Sequence, residues 1–326
     1  MPVFDPSHAP LAADSPGASV VIPSYQAARH IRQVLRSLLA QVTSVVYEII
    51  VVDSSTDGTE RIVGEEFPQV RLLHFPHRCQ VGKARNIGIG AAQGDIVLFI
   101  DADTIPSPTW IDQMCRAVRE LGADGVGGSM SNGTPGSMTG CMGFYLEFFH
   151  FLEYNGGPRP TRFLVGGNSG FRRKVLTENE YLNHSVGEDL LFSSRLAREG
   201  KRLLFLPRAS VRHQNRTGFR TVFSYQHKLG QGAFLYRSFD APEKVRLLQA
   251  APLLVFLMPF AVMMWIGGTL LHRRRLADLL RFALVLPFCL AANFAWAWGF
   301  HQALRQAQRD TGLQKATIPE STNRGD

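Results

Sequence analysis

The chain is 326 residues long, 45% hydrophobic and 19% charged, with 35 lysines and arginines against 27 acids and a formal net charge of +8. This length buries one full-sized core with residues left for an appendage, and Cys79, Cys115, Cys141 and Cys289 form no C-x-x-C pair, which suggests neither a zinc site nor a disulfide framework and fits a reducing compartment. The basic balance implies an anionic partner, whether nucleotide, nucleic acid or phospholipid surface, and charge alone does not choose among them.

Residues 1–18 lack the basic start and apolar stretch of a secretory signal and read as a disordered tail. From Ser19 to about Gly136, short β-branched runs alternate with helical patterns, which predicts an α/β fold with a mostly parallel, doubly wound sheet. Its strands are expected at 19–22, 48–52, 70–73 and 96–100. Ile31, Val34, Leu35, Leu38 and Leu39 fall at helical spacing and predict an amphipathic helix packed on that sheet. Ligands of open parallel sheets bind beyond the carboxyl ends of the strands, so Pro23-Ser24-Tyr25, Asp53 to Gly58 and Asp101-Ala102-Asp103 converge on one crevice. Further along, the sequence predicts a glycine-rich loop over 126–140 and an aromatic run, Phe144 to Tyr154, that packs as a helix in the core, lines an acceptor groove or rests at the bilayer interface. A second glycine cluster at 166–170, a helix over 190–199 and two strands at 202–206 and 209–213 follow.

Residues 247–271 and 282–300 carry no charge, and each is long enough to cross about 30 Å of hydrocarbon as a helix. The expected organisation is a tail (1–18), a catalytic domain (19–240), a membrane-associated helical segment (241–305) and a disordered C-terminal tail (306–326). Two full spans would leave the arginine-rich linker His272 to Arg281 outside, against the positive-inside tendency. A re-entrant hairpin broken at Pro252, Pro259 and Gly267-Gly268 would return it to the cytosolic surface.

Asp101 and Asp103 directly follow a strand that is apolar throughout. Acids placed there face a cation or water, because an unpaired desolvated carboxylate is costly, and hard oxygen ligands suit Mg²⁺ or Mn²⁺. Alone, a D-x-D is equally a solvated turn. Taken with P-S-Y after the first strand, V-V-D-S-S-T-D-G-T after the second, G-K-A-R-N-I-G, G-D-I-V-L-F-I-D-A-D and G-E-D-L-L, it makes the chain resemble the family 2 glycosyltransferases of the GT-A fold from about residue 19 to residue 240.

The resemblance implies a UDP- or GDP-sugar donor and Mn²⁺ or Mg²⁺. It implies base and ribose contacts from Pro23, Ser24 and Tyr25, a base-binding carboxylate at Asp53, and a diphosphate-side cluster of Lys83, Arg85 and Asn86. Asp101 then lies near ribose and metal, Asp103 ligates the metal directly, and His213 stands where some relatives place a third ligand. Gly167 and Asn168 resemble the loop that positions acceptor and donor sugar, Asp189 the general base, and Glu188 its neighbour in the acceptor site.

The chemistry makes this set intelligible in its own right. Expelling a nucleoside diphosphate from a sugar C1 needs the growing charge neutralised by a metal and a basic group. The attacking hydroxyl needs a carboxylate on the opposite face, and one in-line displacement inverts the anomeric centre. Plainer roles exist for several residues: Asp57 as an Asx turn before a helix near Thr59, Glu188-Asp189 as a helix N-terminus, Arg85 as a surface ion-pair partner. Arg212, Arg216 and Arg220 would assist the diphosphate or face anionic headgroups.

Gln26 and the serines after Asp53 depart from the family pattern, which loosens the expectation about the base. The segment Tyr225 to Gly230 lacks the Arg-Trp of the processive synthases' Q-x-x-R-W, which favours transfer of one or a few sugars. The acceptor is expected to be lipid-linked or a membrane-proximal saccharide, in cell-envelope polysaccharide or glycolipid synthesis, with the catalytic domain on the cytoplasmic face of the inner membrane. The alternative, a silent nucleotide-sugar-binding or scaffold protein, predicts loss of Asp103 or Asp189, and both are present. A pyrophosphorylase lacks its basic glycine-rich loop here, and no nucleic-acid module is recognisable.

Overall fold

The computed structural model describes residues 16–154, 156–183 and 186–316, so most of the expected N-terminal tail and residues 317–326 of the C-terminal one lie outside the described residues. Strand β1 (Ala18–Ser24) is followed by α1 (Ile31–Leu39), β2 (Tyr47–Asp53), α2 (Thr59–Glu66), β3 (Arg71–His74), α3 (Val81–Ala91) and β4 (Ile96–Ile100). β1 pairs in parallel with both β2 and β4, and β2 with β3. The strand order therefore reverses between β1 and β4, which opens a crevice at their carboxyl ends. α1 buries Ile31, Val34, Leu35 and Leu38, the stripe its spacing predicts.

The chain continues through β5 (Thr104–Pro106), α4 (Trp110–Glu120), β6 (Gly125–Asn132), α5 (Met138–Phe148), β7 (Arg159–Pro160), β8 (Asn168–Arg172), α6 (Arg173–Thr177), α7 (Glu188–Arg198) and β9 (Leu203–His213). These strands extend the sheet to the order β3-β2-β1-β4-β8-β6-β9-β5, with β7 on β9. β8 runs antiparallel to both β4 and β6, so the parallel half gives way to a mixed half. Two apolar clusters fill the two faces of the sheet.

Two local expectations are corrected. The stretch read as a glycine-rich loop over 126–140 begins as strand β6, and its glycines serve close approach instead of a turn. A Cβ on Gly128 would lie 1.8 Å from the Ala209 carbonyl, and one on Gly125 would lie 2.6 Å from the Phe171 ring. The two strands expected at 202–206 and 209–213 are the single strand β9, interrupted at Pro207 where its register with β6 shifts between Gly128 and Met130. Proline cannot donate to a ladder, and the irregularity accommodates it.

The C-terminal helices are α8 (Phe219–Asp240), α9 (Pro242–Ala250), α10 (Met258–His272) and α11 (Leu276–Ala316). The first apolar stretch is not one helix. It breaks at Ala251, passes through a 3₁₀ segment over Pro252–Leu257 and resumes in α10, with Pro259 in the first turn of α10, where its missing N–H costs nothing. Gly267 and Gly268 sit inside α10 without breaking it. The tail expected from residue 306 is helical as far as Ala316, because Leu304 is buried and Gln308 Nε2 donates to the Gln249 carbonyl at 2.8 Å. Met263, Ile266, Leu270, Phe282, Val285 and Cys289 join the same buried cluster as α1, α4 and α5, so the helical segment shares its core with the sheet domain.

Candidate active site

The site is built at the carboxyl ends of β1, β2 and β4 and the amino end of α7. At β1, Pro23 and Ser24 close the strand and Tyr25 is exposed, with the Arg78 guanidinium 4.7 Å from its ring centroid. Gln26 takes a left-handed φ of 55°, which lets its N–H reach Ser55 Oγ (2.7 Å) and its Oε1 accept from Thr56 N–H (3.0 Å). The departures from the family pattern at 26 and 55 are thus bonded to each other, whereas Ser54 Oγ accepts from Cys79 N–H (3.0 Å). Asp57 accepts from Thr59 N–H, Thr59 Oγ and Ala28 N–H, which makes it the expected turn residue.

Asp53 does not match its expected role. Its carboxylate is fully buried, accepts from Ser55 N–H (3.0 Å) and Ser55 Oγ (2.6 Å), and lies 2.8 Å from His74 Nδ1. Those contacts hold the 54–57 loop and leave the side chain closed to a base. Asp53, Glu60 and His74 bring ligand-type atoms within 4.8 Å of one another, at the carboxyl ends of β2 and β3, with β1 between them and the strand that carries the D-x-D.

Helix α3 divides its three candidates. Lys83 is exposed. The Asn86 amide donates to the Tyr181 carbonyl (2.9 Å) and accepts from the Tyr181 N–H (3.0 Å), so it clamps the segment before α7 in place of a donor. Arg85 is buried, not a surface partner. Its guanidinium pairs with Glu188 and reaches Asp101 Oδ1 at 3.5 Å, with the Tyr181 ring centroid 5.3 Å away. Burial alone would lower the Arg85 pKa, but the charges of Glu188 and Asp101 outweigh it and hold it above its ordinary value. Burial also pushes Asp101 up, against the pull of Arg85 and with repulsion from Asp103 and Asp189. Asp101 therefore feels the charge of Asp103 and also of Asp189, an acid far along the chain.

Asp103 stands beside His213, with Nε2 to Oδ1 at 3.5 Å, because β5 pairs with β9 and puts Thr104 opposite His213. His213 is buried, and its Nδ1 lies 2.9 Å from Asn215 Oδ1. The Asn215 Nδ2 end donates to Asn132 Oδ1 (2.8 Å) and Thr134 Oγ (3.0 Å), which leaves Asn215 Oδ1 to accept from His213 Nδ1–H. In the neutral ring, Nε2 then presents its lone pair to a carboxylate that is also an acceptor. Two acceptors without a proton between them suit a divalent cation, and the network behind them fixes the ring as outer partners of metal-binding histidines do. Asp103, Asp101 and His213 are the residues that would hold it.

The glycine pair approaches the same centre. A Cβ on Gly167 would lie 2.2 Å from Asp101 Oδ2, and one on Gly166 would lie 2.2 Å from the Arg85 guanidinium. Asn168, expected to touch the acceptor, is fully buried instead. Its Nδ2 donates to the Ser129 and Ala209 carbonyls and its Oδ1 accepts from Trp110 Nε1, so no polar atom remains for a ligand.

At α7, Gly187 (φ 79°) turns the chain into the helix, and Asp189 is held by Gly166 N–H on Oδ2 (2.8 Å) and Leu190 N–H on Oδ1 (2.8 Å). Glu188 is buried against Arg85; burial first, and Asp189 next, push its carboxyl up to about 7. Falling pH through about 7 is therefore expected to discharge Glu188 and weaken its pair with Arg85, lowering kcat/KM on the acid side. The pH profile of Glu188→Gln should lose that limb. For stability the sign is opposite: the folded state holds this proton more tightly than the unfolded chain, so the group costs stability as pH rises from 4.5 to about 7.

Two participants, Glu147 and Asn215, were not singled out from the sequence. Glu147, on α5, pairs with Arg216 Nη1 at 3.6 Å, and the Arg216 guanidinium lies 3.6 Å from the Tyr225 ring centroid. The signal was present: an acid inside the apolar run F-Y-L-E-F-F must find a partner. The asparagine behind the metal position, Asn215, carried none. Arg216 feels the charges of Asp103 and Asp101, whereas Arg212 and Arg220 are exposed. The aromatic run packs as expected in the core, with Phe144, Tyr145, Phe148 and Phe149 buried and the Phe148 ring 4.8 Å from that of His213.

A parallel half-sheet with its reversal between β1 and β4, a D-x-D backed by histidine and an acidic helix N-terminus facing it define the class: the GT-A type of α/β fold. Residues 19–179 match the model of Glycosyl transferase family 2, and the chain belongs to that family. It is 26% identical over 224 residues to Glycosyltransferase AglE of Haloferax volcanii (67% of this chain, 73% of that protein) and 31% identical over 117 residues to Glycosyltransferase GlyG of Streptococcus pneumoniae (35% and 39%). The matched part is thus well under half of GlyG. Among solved structures, mannosyltransferase PcManGT from Pyrobaculum calidifontis, in complex with GDP-Man and Mn²⁺, superposes with a TM-score of 0.55 at 20% identity, covering 93% of this chain and 88% of that one. S. aureus TarS 1-349 in complex with UDP-GlcNAc gives 0.50 at 17% identity, covering 90% and 92%.

Proposed function

We propose that the protein is an inverting glycosyltransferase that moves a sugar from a UDP- or GDP-sugar to an acceptor hydroxyl carried by a lipid or by a saccharide at the membrane. The observation that carries this reading is the meeting of Asp103 with His213 on one side and Asp189 on the other, around Asp101 and Arg85. Mn²⁺ or Mg²⁺ held by Asp103, Asp101 and His213 would neutralise charge on the leaving diphosphate. Arg216 supplies a second positive charge to the same side, and Arg85 with Glu188 braces Asp101 and the start of α7. Asp189, steered by Gly166 N–H, takes the proton of the incoming hydroxyl. PcManGT holds GDP-Man and Mn²⁺ on this fold, the donor class and metal proposed here.

Two helices long and apolar enough to cross a membrane support a membrane location; the proposal puts the catalytic domain on the cytoplasmic face of the inner membrane, where tethering would raise the effective concentration of a lipid-linked acceptor. Purified full chain incubated with a panel of nucleotide sugars, with and without Mn²⁺, is expected to release nucleoside diphosphate from one donor only when metal is present. Absence of metal-dependent release from every donor would reject the enzyme reading.

A further inference from the structure

The turn between α10 and α11 gathers positive charge that the catalytic reading does not use. His272, Arg273, Arg274 and Arg275 line a cleft of about 670 Å³ with Glu153 and Tyr154. Arg273 donates to the Leu152 carbonyl (2.8 Å) and Arg275 to the Glu153 carbonyl (3.0 Å), so the turn is fastened to the sheet domain. The Arg273 guanidinium lies 4.9 Å from the Tyr154 ring centroid, and Arg159 Nε donates to the Tyr154 hydroxyl (3.0 Å) from the other side.

This charge is largely uncompensated. Arg275 and Arg281 share Asp278, whereas among the described residues Arg159, Arg273 and Arg274 have no carboxylate within ion-pair distance and Glu153 forms no ion pair. Burial, then the like charges of Arg159 and Arg275, hold the Arg273 pKa below its ordinary value, a cost that an anion in the cleft would remove.

The cleft opens beside an apolar surface. Met264, Trp265, Leu271, Leu276, Leu280 and Leu284 are each more than half exposed on α10 and α11. The opposite side of α11 is covered by protein along its length. Near its start the Tyr145 hydroxyl bonds Asp278, further on a Cβ on Gly299 would lie 2.0 Å from the His227 carbonyl of α8, and near its end Gln308 bonds Gln249. A helix covered on one side and apolar on the other is able to rest side-on in lipid, and in that placement the arginine turn would stay on the same side of the membrane as the sheet domain, without the conflict with the positive-inside tendency.

We infer that this cleft binds the phosphate of an anionic membrane lipid, while the α10–α11 hairpin rests its exposed apolar side in the bilayer surface without crossing it. The arginines supply charge-assisted hydrogen bonds to the phosphate, and the flanking leucines and Trp265 take up the acyl boundary. This inference stands apart from the sugar-transfer reading, and its test has no catalytic readout.

Full chain is diluted from detergent into vesicles of phosphatidylcholine alone or mixed with phosphatidylglycerol, and the floated fraction is measured. The wild type should prefer the anionic vesicles. Arg274→Gln, which removes a side chain with no hydrogen bond or ion pair to protein among the described residues, should cut that preference about five-fold at low salt, and adding Arg273→Gln should cut it about five-fold again. Binding to phosphatidylcholine should not change, which shows the variants folded. An anionic preference unaltered in both variants would overturn the site. No preference of the wild type for anionic vesicles, with inorganic phosphate instead raising the thermal stability of the full chain but not of Arg274→Gln, would assign the cleft to a soluble anion and overturn the lipid source.

Discussion

Replacing Asp189 by Asn is expected to lower kcat by a factor on the order of 10²–10⁴, the usual contribution of a positioned general base, while donor affinity changes little. The asparagine keeps the shape and can still accept from Gly166 N–H, now bonded to Asp189 Oδ2 at 2.8 Å, but it cannot take a proton. The effect should therefore fall on turnover. Calorimetric titration of the donor with metal, set beside single-turnover transfer, separates the two terms. Turnover equal to wild type would remove Asp189 as the base, whatever else the site does.

The second large effect concerns the metal. Asp103→Ala is expected to abolish Mn²⁺-dependent donor binding, since the site would lose its acceptor opposite His213 Nε2 at 3.5 Å. A subtler variant tests the argument behind that pair. Asn215 touches no ligand in this reading; it fixes the ring through Nδ1 at 2.9 Å, so Asn215→Ala should weaken metal affinity about 10- to 100-fold without removing a ligand. Mn²⁺ titration followed by EPR reads both variants directly. Equal affinity in wild type and Asp103→Ala would move the cation elsewhere, with Asp53, Glu60 and His74 the next cluster to examine.

The α/β class, the four parallel strands and the α1 stripe are legible in one dimension, because period and strand-end chemistry are local properties of neighbouring residues. It also named Asp101, Asp103, Glu188, Asp189 and His213, since their residue types fit the chemistry and their order fits the family. Their distances were beyond it. Only the tertiary structure could show that β9 delivers His213 to Asp103, or that Arg85 is buried between Glu188 and Asp101. Burial and bonding partner also decided against two candidates. Asn168 and Asp53 look like ligand groups in one dimension, yet each has its hydrogen bonds taken by backbone or neighbouring side chains far away or just beyond in the chain. The glycines of β6 misled for the same reason, because a missing Cβ marks a tight turn or a crowded neighbour equally well until the neighbour is in view. Hydropathy, lastly, measured the apolar length of α10 and α11 but not which side of each helix the protein itself covers, and that division is made by contacts with α5 and α8.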